Sequence, residues 1–155
     1  MGAFARTYNP IGVVGYSSDM EKENVITRIA SGVTATAATK IGFAQPVTRG
    51  TAAKSAIMWT GANGPCLGLT LASGHVDEAV GYQNGDNVPV INEGQILAHA
   101  SGTCTEGSTP LFVPATGGFS NATTGEEPLA LAGAVFNSSA TAGGVVTIQL
   151  QTRIA

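Results

Sequence analysis

Ser73, His75 and Asp77 are the residue types of a hydrolytic triad, and they lie in one short segment of the chain. In an extended segment alternate residues project to the same side, so the three side chains would stand in a row instead of converging on one substrate atom. The segment also lacks the pattern of a nucleophile elbow. We interpret the three residues as polar loop positions. A hydrolase would need a nucleophile brought close to a base, which could be His75 or His99.

The two histidines and two cysteines could be imagined as a metal-ligand set. His75, His99, Cys66 and Cys104 lack the close spacing of metal sites, and no ladder of carboxylates accompanies them. His99 stands between two alanines, which predicts that it points outward from a strand. The cysteines lie among small apolar neighbours, where buried free thiols are common, and the sequence leaves their pairing open. We predict no metal site and no cofactor.

Two further patterns resemble catalytic motifs but fail in detail. Residues 50–55 (GTAAKS) are similar to the end of a phosphate-binding loop, but the glycine that should directly precede Lys54 is missing. Acidic residues are adjacent at 77–78 and at 126–127. Neighbours on a strand face opposite sides, so neither pair suits general acid–base catalysis. The sequence therefore predicts a protein that is not an enzyme.

Charge is sparse along the whole chain. Charged residues make up 11% of the 155 residues, against about 25% in an ordinary soluble domain, so Thr, Ser, Asn and Gly must form most of the solvated surface. Low surface charge is typical of extensive contact with other proteins, because interface cores are depleted of charged residues. The alternative is a β-protein that is merely rich in Thr and Ala.

The charge balance and the hydropathy exclude several partners. The net charge is −3, and the seven basic residues are scattered from Arg6 to Arg153, so no cluster could neutralise several phosphates. We therefore predict no nucleic-acid partner. No apolar run is long enough to span a membrane, and the first residues lack the apolar core of a signal peptide. These features predict no membrane association and synthesis in the cytoplasm.

The clearest secondary-structure signal lies in residues 80–113. Apolar residues alternate there with polar ones, at Val88, Val90, Ile96, Ala98, Ala100, Leu111 and Val113. A period of two predicts strands with one buried face. Asn, Asp and Gly cluster at 84–86, 92–94 and 106–108, and each cluster is typical of a turn. The stretch is therefore predicted to be an antiparallel meander of short strands.

The remaining patterns complete an all-β prediction. Further strands are predicted at 24–29, 41–47, 66–72, 129–136 and 144–150; residues 52–59 could be a strand or a short helix, and residues 115–128 a long loop. About eight short antiparallel strands are typical of a compact barrel or sandwich. Residues 1–16 are predicted to be an extended N-terminal arm leading into a short strand, and residues 17–155 a single β-rich domain. The arm either frays or reaches a neighbouring subunit.

Several short motifs come in an order that we associate with one family. These are NVITR at 24–28, IGFAQPV at 41–47, GY at 81–82, GDNVPV at 85–90, GQI at 94–96, AVF at 134–136 and GGVVTI at 143–148. Through them the chain resembles the structural cement, or head decoration, proteins of tailed bacteriophages, over about residues 8–150. Each motif is short and rich in Gly, so the resemblance depends on their order and spacing.

The resemblance implies a β-rich, non-enzymatic protein on the outer surface of the virion capsid. It would bind the expanded head and bridge subunits of the major capsid protein, as a homotrimer. We expect the arm and residues 17–28, where charge is densest, to contact the shell or a neighbouring copy through Phe4, Tyr8, Glu21, Lys22, Glu23 and Arg28. The alternative is a small β-barrel module that binds carbohydrate or another ligand, for example in a virion attachment protein.

Overall fold

The structure, a computed structural model, describes residues 14–17, 23–34, 36, 39–121 and 128–150. Within those ranges the chain forms ten strands and no helix, and hence no helix of the length and apolarity needed to cross a membrane. The strands are β1 (Asn24–Ala30), β2 (Pro46–Arg49), β3 (Ser55–Met58), β4 (Gly68–Thr70), β5 (Asn87–His99), β6 (Leu111–Val113), β7 (Gly118–Ser120), β8 (Leu129–Ala130), β9 (Ala134–Phe136) and β10 (Val145–Leu150).

Five of the strands close into a barrel. Their order is β1-β3-β2-β4-β5, and β5 pairs again with β1 to complete the ring. Strand β5 then continues beyond the barrel and pairs with β10, which pairs with β9. A separate sheet has the order β7-β6-β8. The prediction of an all-β barrel is confirmed, with ten described strands instead of about eight and with one parallel pair, β1–β3, among antiparallel ones.

Strand β5 corrects the predicted meander. The expected turn at 92–94 does not occur, because residues 87–99 form one strand of 13 residues. Gly94 has φ +123, a conformation that suits glycine, and allows the strand to bend without ending. The side-chain amide of Asn24 donates to the side-chain oxygen of Asn92 at 2.6 Å and ties the bend to β1. Pairing with strands on both sides of the bend thus overrides the local turn signal.

Three other predicted elements have different limits. The strand expected at 129–136 is divided into β8 and β9 by a turn that contains Gly133 at φ +81. The expected long loop 115–128 contains β7, and the strand expected at 41–47 begins only at Pro46. Residues 1–13 of the predicted arm lie outside the described residues. Just after them, Gly15 donates its N–H to the Leu97 carbonyl at 2.8 Å, so the chain there runs along β5.

Alternation places the apolar residues correctly in most strands. Val88, Val90, Ile96 and Ala98 of β5 are completely buried, as the sequence predicts. Strand β10 has the same alternation, with Val146, Ile148 and Leu150 in the core.

In β6 the prediction of the buried face is wrong. Phe112 is fully buried, while Leu111 and Val113 are half-buried. Phe112 packs against Phe119 of β7, with ring centroids 5.3 Å apart. An aromatic ring buries a large apolar area and gains from such a pair, so it takes the core position in preference to its smaller neighbours.

A proline in β5 leaves one backbone group for a side chain to satisfy. The Leu71 N–H donates to the Pro89 carbonyl at 2.8 Å, but Pro89 has no N–H to donate to the Leu71 carbonyl in return. The hydroxyl of Tyr82 donates to that carbonyl instead. Tyr82 is completely buried, and its ring also packs edge-on against Phe43, with centroids 5.8 Å apart. The tyrosine thus completes the β4–β5 ladder at the proline.

This arrangement predicts that Tyr82→Phe lowers the free energy of unfolding by about 1–3 kcal/mol, because the Leu71 carbonyl loses its donor. Urea unfolding of the variant measures the change, with Tyr16→Phe as the control, since Tyr16 is exposed. In a Pro89→Ala background a backbone N–H becomes available to the Leu71 carbonyl. Tyr82→Phe should then lower the free energy of unfolding by less. An equal cost in both backgrounds would contradict the assignment.

Candidate functional site

The three residues of the apparent triad have separate local roles. The Ser73 hydroxyl accepts a weak bond from the His75 backbone N–H at 3.5 Å, and the carboxylate of Asp77 accepts the N–H of Ala79 at 3.0 Å. These bonds shape the turns between β4 and β5. They do not join the hydroxyl, the imidazole and the carboxylate, so the segment is a polar loop as the sequence predicts.

His99 does have a carboxylate partner, although not the one its sequence neighbours suggest. Its Nε2 lies 2.7 Å from Oε1 of Glu78, and the two side chains are 52% and 46% exposed. His99 therefore points outward from β5, as predicted. The partner lies 21 residues away in the chain, so no local pattern indicated it. An exposed pair of this kind contributes about 0–1 kcal/mol to stability, and no nucleophile is bonded to the imidazole in the described structure.

The cysteines are buried free thiols. Burial raises the pKa of Cys66 from 9.0 to about 12, an effect that hydrogen bonding to the backbone of Gly68 and Val47 only partly offsets. Burial also raises the pKa of Cys104 from 9.0 to about 11. Because the thiolate is the nucleophile and the metal ligand, both groups are held in an unreactive form. Among the described residues no three His, Cys, Asp or Glu side chains group together as metal ligands.

The raised pKa values predict that stability falls as the pH rises above about 9. Below that pH both thiols are protonated in the folded and the unfolded chain. Above it the thiols of the unfolded chain ionise first, which favours unfolding. Urea unfolding under reducing conditions at pH 8, 9 and 10 should show the fall, and the double variant Cys66→Ala, Cys104→Ala should show a shallower one. The same slope in both proteins would contradict this prediction. Tyr82, with its pKa raised to about 12, adds to the fall only above pH 10.

Two of the six predicted contact residues lie within the described structure. Glu23 is exposed directly before β1, and Arg28 is half-buried within it. Phe4, Tyr8, Glu21 and Lys22 lie outside the described residues. The structure therefore bears on only one part of the expected contact segment, the strand β1 and the residue that precedes it.

The outer face of β1 is apolar and exposed. Val25, Thr27 and Ile29 alternate with the less exposed Ile26, Arg28 and Ala30, so the first three side chains point away from the barrel. Val25 is 39% and Ile29 42% exposed. The sequence predicted a strand here but not which of its faces would be open, because Val and Ile occur at both odd and even positions.

Exposed large apolar side chains concentrate near the predicted contact segment, residues 17–28. Four such residues are exposed in the described structure: Tyr16, Val25, Ile29 and Val80. Val25 lies within the segment, and Tyr16 and Ile29 lie next to its two ends. Exposed apolar side chains that recur in one region are a feature of protein interaction surfaces. We call the surface formed by Val25, Thr27 and Ile29 on the outer face of β1 the apolar contact region.

A second sheet face is half-exposed and almost free of charge. Strand β10 places Val145, Thr147 and Gln149 on this face, opposite His99, Leu97 and Gln95 of β5. His99 is its one titratable group in the described β5–β10–β9 strands. The opposite face of β10 lies entirely in the core. This face has the composition that suits contact with another protein.

Comparison with known proteins identifies the family. The family model described as "Structural cement protein (E217 gp24/Pam3 gp6)" matches residues 3–151. The chain thus belongs to the structural cement proteins of bacteriophage capsids, as the sequence motifs predict. A search of curated proteins finds no match.

A solved structure supports the fold. The chain is similar to a chain in the capsid of Myoviridae phage XM1, with a TM-score of 0.64 and 15% sequence identity. The similarity covers 90% of this chain and 89% of that chain. At this identity the comparison establishes the all-β fold, and the family match establishes the class of protein.

Proposed function

We propose that this cement protein binds the outer surface of the expanded phage head and stabilises it by bridging neighbouring subunits of the major capsid protein, without enzymatic activity and as a homotrimer. The observation that carries the proposal is the apolar contact region, which overlaps the segment expected to contact the shell or a neighbouring copy. The contact residues proposed are Phe4, Tyr8, Glu21, Lys22, Glu23 and Arg28.

Physical chemistry connects such a surface to capsid stability. A unit that binds several shell subunits at once gains by avidity, because every contact after the first is intramolecular. A protein that binds only the expanded shell stabilises that form by mass action. Rigid strands such as β1 are suited to this role, since little conformational entropy is lost when they dock.

The alternative, a ligand-binding module, would require exposed aromatic side chains in a groove. In the described chain Tyr82, Phe112, Phe119 and Phe136 are buried. The indole N–H of Trp59 donates to the Gly64 carbonyl at 2.9 Å and so is used within its own loop. Tyr16 is the one aromatic residue among the exposed large apolar side chains. These observations favour a protein-contact surface over a carbohydrate groove.

The direct test is co-sedimentation of the purified protein with expanded heads of its parent phage that lack it. Saturable binding to expanded heads, with little binding to unexpanded heads, is the expected result. Protein that stays in the supernatant with intact expanded heads would overturn the proposal. Unexpanded heads of the same preparation control for adsorption to phage protein in general.

We predict that the double variant Val25→Thr, Ile29→Thr binds heads at least about tenfold more weakly. Each side chain contributes roughly 1 kcal/mol when its exposed apolar area is buried, and Thr keeps the preference for β structure. Val80→Thr is the control, because Val80 is 54% exposed and lies outside this region. Equal losses in the two variants, or none in either, would count against the apolar contact region.

Removal of residues 1–10 should also weaken head binding, because Phe4 and Tyr8 are proposed contacts. The circular dichroism spectrum and the urea midpoint should stay close to those of the full chain. Unchanged head binding would refute a role for the arm. A variant with Phe4→Ala and Tyr8→Ala in the full-length chain separates the loss of these two side chains from the loss of chain length.

A further inference from the structure

Basic residues that are scattered in the sequence meet at one end of the barrel. Cα pairing joins Ala30 of β1 to Ala56 of β3, and Ala56 to Arg49 of β2. Cross-strand partners share a face, so Arg49 lies on the same side as Ala30 and, two residues earlier on β1, Arg28. The Ile29 N–H donates to the Lys54 carbonyl at 2.9 Å, which places Lys54 beside the same strand. We call Arg28, Arg49 and Lys54 the basic end.

Arg28 is an unusual residue for its position. It pairs with Val88, which is completely buried, so its side chain starts on the inner face of the barrel. Its Nε is buried and has no hydrogen-bond partner. A buried donor without a partner lowers stability. Methionine would fill the same space without this cost, so a role outside the fold accounts for the guanidinium.

Lys54 shows the same conflict between fold and residue type. It has φ +57, one of two positive values at described residues other than glycine. Glycine adopts this conformation without strain, and lysine does not. The side chain is exposed and contributes nothing to the core. Its positive charge is therefore the property that glycine would not supply.

Within the part of the chain that the structure describes, no ion pair joins an acidic side chain to Arg28, Arg49 or Lys54. The nearest acid in the ladder is Asp86, whose backbone carbonyl accepts the Ala30 N–H. Its carboxylate accepts the Gln83 N–H at 2.7 Å and so serves its own turn. Three cations, one with a buried and unpaired donor, thus lie together in a chain of net charge −3. A carboxylate is the ligand that matches them, since Arg binds it through two N–H groups.

The opposite end of β1 has the complementary charge. Glu23 directly precedes the strand and is exposed. Glu23 and Arg28 are five residues apart along the chain, a distance of roughly 17 Å in an extended strand. Strand β1 therefore has opposite charges at its two ends. Two copies attract each other when unlike ends meet and repel each other when like ends meet.

We propose that the basic end of one copy binds the acidic end of β1, at Glu23, of a second copy. The contact is head-to-tail, so it uses different patches on the two copies and gives a closed ring when the rotation between them closes. The inference rests on the proposed function, because it names the contact that joins the copies of the proposed homotrimer. It assigns Glu23 and Arg28 to the contact between copies and leaves the apolar contact region to the shell.

A charge-swap experiment tests the contact. Sedimentation velocity over a range of concentrations measures self-association of the wild type, Glu23→Lys, Lys54→Glu and the double variant. Each single reversal should raise the dissociation constant at least tenfold, and the double variant should recover most of the loss. Glu106→Lys, at another exposed acid, should associate like the wild type. A monomeric wild type, unaffected single variants, or single losses without recovery would each overturn the proposal.

Two variants guard against effects on folding. Arg28→Met removes the unpaired Nε, and Lys54→Gly removes the strained φ. Both should unfold at the same or a higher urea concentration than the wild type and yet self-associate more weakly. Normal self-association of both variants would refute the assignment of Arg28 and Lys54 to the contact between copies. Head binding of the wild type, measured separately, tests the proposed function: its failure with normal self-association would overturn only the role on the capsid.

Discussion

Strand β5 is the element on which the other strands depend. Its first half pairs with β1 and β4 and closes the barrel, and its second half pairs with β10 in the adjoining sheet. Gly94 lies between the halves, and a Cβ there would come within 3.0 Å of the Cβ of Glu23. One continuous strand therefore fixes the barrel relative to the adjoining sheet. The proposed bridging of shell subunits needs this kind of rigidity, because a hinge between the contact faces would absorb the strain.

The distribution of charge follows from the same architecture. The inner faces of β5 and β10 are apolar, and the outer face of their paired segments carries Val145, Thr147 and Gln149 of β10 and Gln95, Leu97 and His99 of β5. Among the described residues, charged side chains lie at strand ends and in turns, except Arg28 within β1 and Glu93 within β5. Covering such a surface with another protein costs little desolvation free energy, because few charged groups lose their contact with water. The open face of β1 suits contact with the shell, while the charges at its two ends suit contact between copies. If both proposals hold, one strand serves two kinds of association with different salt dependence.

The sequence predicted the regular parts of this structure and missed those that depend on distant neighbours. Val146, Ile148 and Leu150 occupy every second position of β10, and this period of two alone predicted that they lie in the core. The residues at 92–94 have turn propensity, but pairing with β1 keeps them in the strand. Phe112 occupies the buried position of β6 instead of Leu111 and Val113, because Phe119 of β7 lies opposite it. The bond from Tyr82 to Leu71, the pair of His99 with Glu78 and the position of Arg28 and Arg49 on one side of the barrel strands all depend on strand order. Strand order is a property of the closed barrel and has no local signal.

Thermal survival of heads at controlled occupancy tests whether the protein bridges shell subunits. Expanded, DNA-filled heads that lack the protein are loaded with increasing amounts of it, and the temperature at which their DNA becomes accessible to a dye is recorded. If the protein bridges shell subunits, this temperature rises with occupancy and reaches a plateau when binding saturates. Heads that are saturated with protein but release DNA at the original temperature would contradict the account.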